Sequence, residues 1–176
     1  MVPGHCVECG SESNLDSLEV LAGTNKINNT SSGILYKVSD ISCKEIDPNN
    51  NMAFLKLSNN ITNQRTIGLG VDRKNDNVTK KETPPRFFVG WKIVEGKNSS
   101  KIEKIKTPNL RETCSKIFKE LSLSPNNYLC TKNSEYDVCK GNSDHVLISD
   151  NRIIGIPTKI GCGKEGIDYN IFTRVE

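Results

Sequence analysis

The chain has 176 residues, of which 35% are hydrophobic and 26% charged, and its formal net charge is +3. That length suits one ordinary domain or two small lobes sharing an interface. The lysines are scattered among Asp and Glu, which argues against a nucleic-acid surface, and no window approaches the ~18 apolar residues of a membrane-spanning helix.

The opening residues, "MVPGHCVECG", carry neither the charged n-region nor the apolar run of a signal peptide. Short apolar or alternating runs then recur: Leu18–Gly23, Gly33–Ser39, Met52–Leu57, Arg86–Trp91, His145–Ser149, Arg152–Ile156 and Asn170–Val175. Each suits a strand. Turn clusters such as "GTNKINNTSSG", "DPNNN" and "SPNN" separate them, and "VLI-SDN-RIIGI" predicts a tight hairpin. Only "LRETCSKIFKELSL" has helical spacing, with Leu110, Cys114, Ile117, Phe118 and Leu121 on one face. The lysine-rich stretches "KNDNVTKKETPPR" and "KNSSKIEKIK" read as solvated loops. Many short strands with frequent turns argue for an all-β barrel or sandwich. Asp72–Pro85 is the best linker, which divides the chain into residues 1–84 and 85–176.

Seven cysteines and five N-x-S/T sequons, at Asn28, Asn29, Asn60, Asn77 and Asn98, favour an oxidising, secretory setting. With no leader in sight, the simplest expectation is that the chain begins inside a longer protein.

"HCVEC" offers a Cys-x-x-Cys, but zinc needs a second clip of similar spacing, and the other cysteines are spread singly. A redox role would place the motif between a strand and a helix, whereas loop residues follow it here. Structural disulfides are therefore the expectation, with no metal and no cofactor. "GLG" at Gly68–Gly70 lacks the third glycine and following helix of a dinucleotide site. "GNSDH" is different: Ser143 could sit on a turn of exposed backbone N–H groups that forms an oxyanion hole. A serine nucleophile needs a base, and only His5 and His145 can serve. His145 reads as a surface or edge residue on the following strand, while His5, distant in sequence, is placed as triad partners commonly are.

Five stretches in register resemble the trypsin-like serine proteases. They are "VPGHCV" (histidine motif), "NNMAFLKL" (the aspartate-bearing strand), "FVGWKIVEGKNSSKIEKIKTPNLRETC", "NNYLCTKNSEYDVCKGNSDHVLI" (nucleophile region) and "IIGIPTKIGCGKEGIDYNIFTRV". No single motif is intact, but order and spacing agree over nearly the whole chain. The resemblance implies two antiparallel Greek-key β-barrels, the first incomplete, with one short helix in the second half. It implies that strands precede Met1 and that a closing helix follows Glu176. It pairs Cys114 with Cys130 and Cys139 with Cys162; Cys9 and Cys43, outside the family set, are expected to pair with each other. Cys6 is left unpaired.

Carried over residue by residue, the resemblance makes His5 the general base and Ser143 the nucleophile. Gly141 and Ser143 become the oxyanion-hole positions. The third triad position falls on Asn51, whose neutral amide cannot stabilise an imidazolium. In the well-studied triad the same change costs about 10⁴ in kcat. Asn142 replaces an aspartate, and Asp144, His145 and Val146 replace Gly-Gly-Pro. Asp137 matches a pocket-floor carboxylate for Lys/Arg, but Lys159, Ile160 and Asn170 stand where that pocket's walls should be Trp, Gly and Gly. The implied protein is a secreted, monomeric, non-catalytic homologue that binds protein or peptide substrates or protease inhibitors, and neither nucleic acid nor membrane. The alternatives are a serine endopeptidase cleaving after Lys/Arg and an incomplete gene product.

Overall fold

The computed structural model describes residues 1–7, 9, 15–26, 29–47, 50–62, 64–70, 84–94, 97–107, 111–132, 138–140, 145–166 and 168–175. Strands dominate: β1 (Val2–Pro3), β2 (Glu19–Ala22), β3 (Ile34–Asp47), β4 (Asn50–Leu57), β5 (Gly68–Leu69), β6 (Arg86–Val94), β7 (Lys97–Thr107), β8 (Tyr128–Lys132), β9 (Val146–Ser149), β10 (Arg152–Pro157) and β11 (Tyr169–Arg174). Among the described residues one α-helix, α1 (Arg111–Glu120), lies between β7 and β8.

They form two curled sheets. The first is four-stranded and antiparallel, in the order β1-β4-β3-β2. The second runs β7-β6-β9-β10-β11-β8, with β5 added parallel to β10. The expected strands and helix form, most of them close to their expected bounds, but β3 runs on from the expected Gly33–Ser39 to Asp47, held by its pairing with β4. The hairpin from β9 to β10 turns on Asp150 and Asn151, with φ of 48° and 55°, and Ser149 faces Arg152. Asp and Asn suit this turn because their short polar side chains tolerate the left-handed region.

One expectation is corrected here. "KNSSKIEKIK" is the greater part of β7, paired with β6 from Arg86↔Thr107 to Val94↔Lys97, and is no loop. Its charges mask the pairing: Ile102, Lys104 and Lys106 are exposed, while Ile105 packs on the core. Lys104 also lies 4.2 Å over the Phe87 ring.

Two apolar clusters sit in the second half. Phe88, Leu129, Val138, Leu147, Ile154 and Phe172 make one. The other joins Cys114, Ile117 and Phe118 of α1 to Tyr128, Cys130 and Ile171, so the face read from helical spacing is the buried one. The chain leaves α1 through Ser122 (φ 55°), with Leu123 N–H bonded to Phe118 O at 2.7 Å and Ser122 N–H to Lys119 O. The first sheet buries less. Tyr36, Val38, Met52 and Ala53 are inside, while Ile34, Leu35 and Phe54 are exposed.

Burial this uneven has a measurable consequence. Limited proteolysis is expected to cut within residues 15–57 before it cuts the second sheet, since local opening is cheapest where few apolar contacts must be broken. Cleavage at equal rates in both halves would contradict it.

Candidate active site

His5 sits in a 3-10 turn, Gly4–Cys6, that follows β1 directly. Buried Gly4 and Val7 anchor the turn, and Val7 N–H closes it on Gly4 O at 3.2 Å. The β1–β4 register sets Pro3 against Met52, so the backbone of Asn51 is the next step of β4 toward the His5 turn. The strand pairing thus brings together two of the three triad positions named from the resemblance. The third, Ser143, lies outside the described residues, as do Gly141 and Asp137.

Lys159 completes the neighbourhood. Beyond β10, buried Thr158 takes its N–H and its hydroxyl to Ile171 O, at 3.0 and 3.2 Å, and its hydroxyl accepts Ile160 N–H at 3.1 Å. Cys162 N–H bonds Lys159 O at 3.1 Å. With β1 packed against β10, this braced turn puts the Lys159 ammonium close enough to act on both His5 and Cys6. The His5 imidazole titrates below its ordinary 6.5, first through partial desolvation of the ring and then through repulsion from Lys159. Burial pushes the exposed Cys6 thiol up, and Lys159 opposes that rise without cancelling it. Both effects on His5 favour neutral imidazole.

On the far side of the turn, β11 presents Asn170, which is fully buried and in register with Thr131. Its Oδ1 accepts the Val138 N–H at 2.9 Å. That bond ties β11 to the turn Val138–Lys140, and the disulfide Cys139–Cys162 ties the same turn to the segment after Ile160. Half-buried Ile160 packs against the cluster around α1. The Asn170 carboxamide therefore fills space and cross-links backbone, which a glycine could not do. The sequence marked Asn170 by resemblance but gave no sign of its partner, because the Val138 N–H is a tertiary neighbour.

All three expected disulfides form: Cys9–Cys43, Cys114–Cys130 and Cys139–Cys162. Cys9 is thereby removed from the Cys-x-x-Cys, so Cys6 has no dithiol partner there. His145 corrects an expectation. It is 1% exposed rather than a surface residue, and it lies against Gly90, where an added Cβ would come 2.7 Å from the His145 Cγ. The bare Gly90 backbone makes room for the ring.

The two-sheet architecture with one short helix between β7 and β8 is the chymotrypsin-like fold. The Trypsin family model matches residues 3–176, and the chain belongs to that family. No curated protein matches it in sequence. Among solved structures it is similar to the scabies mite inactivated protease paralogue S-D1, at 13% identity and a TM-score of 0.71, over 98% of this chain and 76% of that one. It is similar to the VesB protease of Vibrio cholerae, at 17% identity and a TM-score of 0.69, over 99% of this chain and 51% of that one. The inactivated scabies mite paralogue S-I1 gives 15% identity and a TM-score of 0.67, over 99% of this chain and 77% of that one. These likenesses concern the fold.

Two measurements test the site. In NMR titrations His5 should deprotonate below 6.5, and Lys159→Ala should move its pKa upward; an unmoved pKa would remove Lys159 from the account. The sign for stability follows. As pH falls through 6.5 the unfolded chain takes up this proton before the folded one, so titration of His5 erodes stability on the acid side and contributes nothing above neutrality. Asn170→Ala should lower unfolding free energy by about 1–3 kcal/mol in denaturant melts, because it leaves the Val138 N–H unpaired in the core.

Proposed function

We propose that the protein is a secreted, non-catalytic member of the trypsin family that binds a protein or peptide partner through the surface around His5. The observation that carries this reading is the β1–β4 register, which brings Asn51, an uncharged residue, to the step of β4 beside the His5 turn, with the Lys159 cation a lesser influence on the ring after desolvation. Acyl transfer by a serine requires the base to take the hydroxyl proton and become an imidazolium, and a carboxylate normally stabilises that ion. Here the corresponding position on β4 is Asn51, and the nearby charge has the wrong sign. The burden on the transition state is electrostatic and direct.

Further support comes from Asn170 and Ile160, whose side chains occupy positions that the resemblance assigns to glycines of the specificity pocket. Two of the solved relatives are inactivated proteases, so this fold is known without the activity. The three disulfides agree with an extracellular site. The rival reading is a serine endopeptidase cleaving after Lys or Arg. It draws on Asp137, Gly141 and Ser143 in the sequence, and on the neutral imidazole of His5, which is the form that accepts a proton.

A fluorophosphonate probe and a Lys/Arg peptide substrate separate the two. The expected outcome is no labelling of Ser143 above the Ser143→Ala background, and substrate turnover at least about 10⁴ below that of an intact triad. Labelling that vanishes in Ser143→Ala would sink the non-catalytic reading.

A further inference from the structure

The five sequons differ in their surroundings. Asn28 and Asn77 lie outside the described residues, and Asn98 stands within β7, opposite Ile93 of β6. Asn29 is held in a compact turn. Its Oδ1 accepts the hydroxyl of Ser31, the third residue of its own sequon, at 2.6 Å, and its carbonyl accepts the Ser32 hydroxyl. Asn60-Ile61-Thr62 is different. All three residues are exposed and belong to no strand or helix, and among the described residues neither the Asn60 nor the Thr62 side chain makes a hydrogen bond.

The segment is nonetheless fixed at both ends. Ser58 N–H bonds Lys37 O at 2.9 Å. Gln64 lies over the turn at Gly23, where an added Cβ would meet its Nε2 at 2.5 Å. Further on, β5 is pinned to β10, with Arg152 Nη1 donating to Leu69 O at 2.8 Å. Asn60 is thus presented to solvent from an anchored span.

We infer that Asn60 carries an N-linked oligosaccharide. The inference rests on the secretory routing proposed above. In the secretory pathway the Asn60 Nδ2 displaces the diphosphate of a lipid-linked oligosaccharide. An N–C bond forms at the anomeric carbon, the C–O bond to phosphate breaks, and Nδ2 gives up one proton. The product is bulky, hydrophilic and compatible with folding only at an exposed residue. At Asn60 it breaks no hydrogen bond among the described residues.

The full chain is expressed behind a secretory leader in a eukaryotic host, and the product is treated with peptide N-glycosidase. Enzymatic release in ¹⁸O-water should convert Asn60 to labelled Asp in the peptide map. Asn60→Gln and Thr62→Ala should each remove one glycan step on a gel. Secreted protein with Asn60 unmodified would overturn the inference, whatever else is glycosylated. Retention of the wild-type chain inside the cell, unglycosylated, would overturn the secretory reading along with it; labelling of Ser143 by fluorophosphonate bears on catalysis alone. If a variant is not secreted, the wild-type peptide map still decides.

Discussion

The geometry of this molecule depends on one shared strand. On one edge β10 pairs with β9, and on the other it takes β5 at Arg152 and Ile153 and then β11 from Gly155 to Pro157. Its edges have no room to spare. A Cβ at Gly70 would lie 2.6 Å from Arg152 Cδ, and one at Gly155 would lie 3.0 Å from Phe172 Cβ. Glycine at both positions lets neighbours approach at van der Waals distance. β10 then leads into the braced turn that carries Lys159, so one strand both docks part of the first half and places a cation that adds to the lowering of the His5 pKa by desolvation.

The groups that tie these segments together are not the side chains named for chemistry. The cross-links are the Cys139–Cys162 bridge, the Asn170 bond to Val138 N–H and the bonds of Thr158 to Ile171, and none of them uses the side chain of His5 or Lys159. The scaffold is therefore independent of whatever chemistry those side chains perform, since function resides in the site and not in the fold.

Much of the fold was legible because alternation and turn chemistry are local. The β9–β10 hairpin needed only hydrophobic runs around Asp150-Asn151, and the buried face of α1 only helical spacing. β7 was missed because its partner, β6, lends backbone bonds to a strand whose own composition is charged. Strand preference depends on such context more than helix preference does. β8 was missed as a strand of its own, being five residues between a turn cluster and a cysteine loop. In the candidate site, motif register named His5, Asn51, Lys159 and Asn170. What it could not supply was tertiary. The repulsion between Lys159 and His5, the Val138 N–H as partner for Asn170, and the burial of His145 against Gly90 each need chain segments far apart in sequence to meet.

Cys6 stands three residues from a bonded cysteine, Cys9, and is exposed. A free thiol in that position is a shuffling hazard, because its thiolate could attack Cys9–Cys43 and leave the wrong pair joined. The attacking species is the anion, and the raised thiol pKa keeps its population small at neutral pH. Partial desolvation of this corner thus acts on two neighbouring groups at once, lowering the His5 imidazole and raising the Cys6 thiol, and the second effect works to preserve the native pairing.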